Sequence, residues 1–138
     1  MRIILELIEK AGGIHPGLCL KIDNPPFMEL VIEAPGDTGP SGLPSISVAH
    51  YGLQNGDLMR DPEMCFEWQA APHPQLLSYF WRNDYLGWEQ WSRYIRGGLY
   101  GVHEALHRQH ERFAALWDRN LRAQGYWDIF DPAKHIRG

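Results

Sequence analysis

Residues 45–69 read SISVAHYGLQNGDLMRDPEMCFEWQ. Ile46, Val48 and His50 alternate with Ser47, Ala49 and Tyr51, the two-residue period of a strand with one buried face. Asn55-Gly56 then supplies the strongest short hairpin signal, because a type I′ turn needs positive φ at both central residues. With those two residues as the turn, Gln54 pairs with Asp57, and counting back sets His50 opposite Asp61. Further on, Met64, Phe66 and Trp68 alternate with Cys65, Glu67 and Gln69. The apolar faces of the two arms agree only if one residue is absorbed, and Asp61-Pro62 is the obvious bulge. The segment is therefore predicted to be a bent, bulged hairpin carrying a polar cluster.

Working outward, the pattern repeats. Towards the N-terminus, Leu18, Leu20 and Ile22 alternate with polar residues, Asn24-Pro25-Pro26 signals a turn, and Met28, Leu30 and Ile32 alternate again. Before them Ile4, Leu7, Ile8 and Ala11 recur at helical spacing, stopped by Gly12-Gly13. Residues 34–44 hold three glycines and three prolines, which predicts a mobile internal loop. Towards the C-terminus, 75–82 reads as a strand. Residues 85–95 fit either a helix or a strand, and their aromatics favour the strand. Gly97-Gly98 breaks the chain. From 99 to 124 a long helix is expected, with Val102, Leu106, Phe113, Leu116, Trp117 and Leu121 on one face. Gly125 suits its C′ position, Ile129 and Phe130 anchor the tail, and 131–138 reads as a loose end. The sum is one α+β domain over 1–138: an antiparallel sheet of about five to six strands, a meander of hairpins, with a short N-terminal and a long C-terminal helix on one face.

Composition bounds the function. The chain has 138 residues, 44% of them hydrophobic and 22% charged, with a formal net charge of −4. Bulk electrostatic attraction to nucleic acid is thus disfavoured. The two cysteines cannot build a disulfide framework, and no apolar run approaches a membrane span. The first residues are too acidic for a signal peptide, so a cytoplasmic location without a membrane partner is expected.

Three groups of residues bear on chemistry. His103-Glu104-Ala105-Leu106-His107 matches the HExxH pattern, in which histidines at i and i+4 ligate zinc and the glutamate activates water. His110 lies near the same face. The chain lacks the later glutamate or histidine that would complete a zincin site, so these histidines read foremost as packing residues at the edge of the apolar stripe. Zinc is the one cofactor with any support, and none is expected. Around the Asn-Gly turn, His50, Tyr51, Asn55, Asp57, Asp61 and Glu63 concentrate ionisable and hydrogen-bonding groups. His50 facing Asp61 would be an oriented base, and the carboxylates could hold a cation. Equally, Asn-Gly-Asp is what a tight turn favours. Finally, Trp81, Tyr85, Trp88 and Trp91 crowd one segment, more aromatic surface than a small core needs. Alternation points some of the rings outward, the mark of an interface.

The stretches HYGLQNGDLMRDPEMCFEW (50–68), RNDYLG (82–87) and WDRNLRAQGY (117–126) resemble a family of small bacterial proteins of unknown function, found largely on plasmids, integrative elements and phages. The likeness spans most of the chain. It implies an accessory role for a mobile element, anti-defence proteins being one class, and brings no activity with it. The HExxH helix is not part of it. The expectation is a non-enzymatic module that binds a protein partner or a second copy of itself. A zinc-dependent hydrolase at the HEALH motif is one alternative. The other is a single-stranded nucleic-acid binder using the aromatics with Arg82, Arg93 and Arg96.

Overall fold

A computed structural model describes residues 1–137. A short helix α1 (Arg2–Lys10) opens the chain, and six strands follow: β1 (Leu18–Asn24), β2 (Phe27–Ala34), β3 (Ser45–Gln54), β4 (Asp57–Gln69), β5 (Gln75–Asn83) and β6 (Trp88–Trp91). A ribbon of β7 (Arg93–Arg96) and β8 (Leu99–Val102) leads into the long helix α2 (Glu104–Ala123). One-turn helices α3 (Tyr126–Ile129) and α4 (Pro132–His135) and a final strand β9 (Ile136–Arg137) complete the chain. The main sheet is an antiparallel meander in the order β6-β5-β4-β3-β2-β1-β9, and β7-β8 stands as a separate two-stranded sheet. The α+β class, the meander and the placing of a short and a long helix agree with the reading from sequence. Seven strands in the main sheet exceed the five to six expected.

The deciding hairpin follows its sequence closely. Asn55 and Gly56 have φ of 52° and 85°, the pair of positive values a type I′ turn requires. Gln54 pairs with Asp57, and the register slips between Ala49↔Glu63 and Tyr51↔Arg60. His50 therefore faces Asp61-Pro62, two residues against one, which is the predicted bulge. A second slip, between Cys65↔Phe80 and Phe66↔Ser78, leaves Tyr79 as the extra residue of β5.

The sheet buries both faces, in different ways. On one, Leu20, Ile22, Leu30, Ile32, Ile46, Val48, Met64 and Phe66 meet Ile3, Ile4 and Leu7 of α1, Trp117 and Leu121 of α2, and Tyr126. This is the apolar core. On the other, Glu67 is wholly buried and receives the Arg93 guanidinium at 2.5 and 2.6 Å. Its second oxygen accepts the backbone N–H groups of Ser41 and Leu43 at 2.9 and 3.0 Å. Arg93 also donates to the carbonyls of Ser78 and Leu77, at 3.1 Å each. A buried ion pair survives only when its remaining lone pairs and protons find partners. Here those partners are supplied by the 35–44 loop and by β5, so one carboxylate clamps loop, ribbon and sheet together.

Three expectations need correction. The helix expected from residue 99 begins at Glu104, because Leu99–Val102 pairs as β8 with Arg93–Arg96. Gly97-Gly98 does not end the chain's regular structure; with φ of 59° and 78° it forms a tight hairpin turn. On α2, Trp117 and Leu121 are buried and Phe113 packs on the core as expected, but Leu116 is exposed, and His110 and Ala114 are buried instead. The expected C-terminal cap holds, with Gly125 at φ 87° and Tyr126 fully buried behind it. Residues 131–137, read as a loose end, carry α4 and β9, and β9 pairs with Cys19 and Leu20 of β1; Gly138 lies outside the described residues.

Candidate functional site

The residues of the hairpin cluster divide between the two faces of the sheet. His50 points to the helix face, where its ring lies 5.3 Å from that of Trp117 and 5.6 Å from that of Tyr126. Its Nδ1 lies 3.3 Å from the Glu29 carbonyl, and burial lowers its pKa. Asp61 accepts the Asn83 amide at 2.6 Å. Across the sheet Glu63 accepts the Ser47 hydroxyl at 2.5 Å and the Arg82 guanidinium at 2.7 Å. Tyr51, three positions from Gln54 along β3, is half-buried, while Asn55 and Asp57 are exposed at the hairpin tip. Geometry gives these groups separate partners rather than one shared focus.

The HEALH residues are dispersed too. His103 is the N-cap of α2, and its Nδ1 accepts the Leu106 N–H at 3.2 Å. Glu104 is exposed in the first turn. His107 Nε2 lies 3.5 Å from Glu111, whose carboxylate also accepts the Ser78 hydroxyl at 2.9 Å. His110 turns inward, its Nε2 3.0 Å from Gln90, and burial followed by the nearby His107 brings its pKa down to about 4. The buried Nδ1 atoms of His107 and His110 have no partner among the described residues. Among the described residues no group of three or more His, Cys, Asp or Glu is placed to hold a metal ion.

The aromatic segment also divides. Trp81 is half-buried on the helix face, 6.0 Å from Phe113. Trp91, half-exposed, packs 4.6 Å from Phe80 and 6.1 Å from Tyr79 at the C-terminal end of β6. Tyr85 and Trp88 lie at the other end of that strand and are exposed.

That end of the sheet holds what the sequence reading missed. In an antiparallel meander the β1–β2, β3–β4 and β5–β6 turns fall at the same end. Each carries large exposed apolar side chains: Phe27 and Met28 on the first, Leu53 and Leu58 on the second, Tyr85 and Leu86 on the third. Leu53 and Leu58 face one another across the hairpin at 71% and 68% exposure. Two more residues along the Glu29↔Tyr51 register bring Phe27 level with Leu53. A Cβ on Gly52 would sit 2.5 Å from the Tyr85 hydroxyl and 3.6 Å from the Met28 sulfur, so all three turns touch. The ionisable groups behind them are paired among themselves, Arg60 with Asp84 at 2.8 Å and with Glu63 at 3.8 Å. The signal in the sequence was the leucine on either side of the Asn-Gly turn, carried beyond the last residues that β2 and β5 pair.

At the opposite end of the sheet lies an open cleft of about 820 Å³ between the 37–40 loop, the end of β6 and the ribbon. No helix of the described residues is long and apolar enough to cross a membrane. The sequence profile of a family described as a domain of unknown function, DUF6908, matches residues 2–127. No curated protein and no solved structure matches the chain.

Proposed function

The chain belongs to the DUF6908 family, a domain of unknown function, and we propose that it is a non-enzymatic binding module whose working surface is the apolar end of the sheet, occupied by a second copy of the chain. What supports this most is the convergence of three hairpin tips, each presenting large apolar side chains to water. Phe27, Leu53 and Leu58 point to one side of these tips and Met28 and Tyr85 to the other, so apolar side chains wrap the end of the sheet, and exposed apolar surface of this kind marks a contact site. Behind the tips Arg60 is paired with Asp84 and Glu63, and Asp57 is the exposed charge on the hairpin tip itself. A two-fold interface asks only that one surface complement itself, a demand that exposed apolar side chains suit. The same surface would serve the accessory role that the resemblance implies.

Sedimentation equilibrium of the full chain tests the reading. A dimer that becomes monomeric in Leu53→Ser/Leu58→Ser, with an unchanged circular dichroism spectrum, is the expected result. A wild-type chain that stays monomeric at about 0.5 mM, where even a weak interface shows itself, overturns it.

A further inference from the structure

The cleft at the far end of the sheet is a second site, independent of the apolar end, and we propose that it binds a nucleoside monophosphate, the base stacked on Trp91 and the phosphate held by Arg96 and His103. Its volume, about 820 Å³, is that of a small-ligand pocket. Its walls are aromatic. The Trp91 and Tyr79 rings stand 6.1 Å apart at 30°, and Tyr94 also lines the cleft. Tyr94 is held flat by its neighbour across the ribbon: it pairs with Gly101, where an added Cβ would meet the Tyr94 ring at 2.5 Å. Of these rings Trp91, half-exposed, is the one that offers a face for stacking on a planar base.

Two of the polar groups, Arg96 and His103, offer N–H donors. Arg96 lies over the Tyr94 ring, 5.4 Å from its centroid, at the edge of the cleft. His103 Nδ1 accepts the Leu106 N–H, so in the neutral ring the proton sits on Nε2, leaving a donor for the ligand. Two donors of this kind suit a phosphate. Asp37 is the one carboxylate on the lining, an acceptor that sugar hydroxyls could meet.

The ligand is a monomer rather than a strand. Of the three arginines that a phosphate track would use, Arg82 is held by Glu63 at 2.7 Å and Arg93 by Glu67 at 2.5 Å. Only Arg96 of the three faces the cleft, and the chain's net charge is −4.

The test is titration calorimetry of the full chain with AMP, GMP, CMP and UMP, beside the matching nucleosides and a ten-residue oligothymidylate. At least one monophosphate should bind with Kd below about 1 mM, and its nucleoside about tenfold more weakly. Arg96→Gln and Trp91→Leu should each weaken that binding about tenfold; should Trp91→Leu prove unfolded by circular dichroism, Arg96→Gln decides. Leu53→Ser/Leu58→Ser should bind as the wild type does, which keeps this site's failure separate from that of the apolar end. No saturation by any monophosphate at about 10 mM overturns the proposal. So does tighter binding of the oligonucleotide, or affinity unchanged in Arg96→Gln.

Discussion

Glu67 shows how one side chain organises a surface that no pattern in the sequence announces. It sits on the polar side of a regular alternation, where a glutamate ordinarily meets water, yet it is wholly buried. Its partner, Arg93, lies 26 residues along, beyond two further strands. Only the folded topology brings them together, which is why the pair could not be read in advance. Glu67→Gln keeps the shape but leaves the Arg93 guanidinium buried without a counter-charge. Such a break costs about 3–5 kcal/mol, to be measured as a fall in the urea midpoint. A loss under about 1 kcal/mol would mean that the pair is solvated in solution. Gly39 is a quieter part of the same clamp: a Cβ there would meet the Glu67 side chain, so Gly39→Ala is expected to destabilise as well.

His110 makes a second prediction at this scale. Its pKa falls from 6.5 in the free side chain to about 4 in the folded chain. The unfolded chain therefore takes up the proton first as pH falls. The contribution is intact above about pH 6.5 and lost between there and about pH 4, with an upper bound of about 3 kcal/mol. His50 shifts in the same direction and adds to it. Thermal midpoints measured across that window should fall less steeply in His110→Gln than in the wild type. Parallel slopes would show that the imidazole is solvated.

Among the elements, legibility tracked how local the cause was. The Asn55-Gly56 hairpin, the bulge at Asp61-Pro62 and the cap at Gly125 each follow from a few adjacent residues, and all three stand in the structure. Residues 99–102 were harder, because their apolar positions continue the helical phase of α2. What overrides that phase is the Gly97-Gly98 turn, which folds them back onto β7. On α2 the expected face holds at Phe113, Trp117 and Leu121 and fails at Leu116, because apolar character alone does not mark the inner face. The helix instead buries Ala114 and leaves Leu116 in water. A test belongs to the ribbon: alanine at both Gly97 and Gly98 places two L residues at positive φ, a cost of about 1–2 kcal/mol each. Amide hydrogen exchange should quicken across Arg93–Arg96 and Leu99–Val102, with little change in β1–β3. Unaltered exchange in the ribbon would contradict its dependence on that turn.

For the molecule as a whole, the meander separates two surfaces. Hairpin tips lie at one end, while the loop, ribbon and cleft lie at the other. Alternation in the sequence indicated that some of the aromatics are exposed, but not how they are shared out. Trp81 enters the helix side, Trp91 enters the cleft, and Tyr85 and Trp88 go to the apolar end. That division depends on strand register and two bulges, both beyond what alternation alone conveys. Because Leu53 and Leu58 are exposed, replacing both by serine should move folding stability by less than about 1 kcal/mol while removing self-association.

The most direct measurement is amide hydrogen exchange of the full chain at low and at high protein concentration. Protection should rise with concentration at the tips around residues 27, 53–58 and 85–86, and stay constant in the ribbon and α2. Protection that is independent of concentration at all three tips would contradict the account.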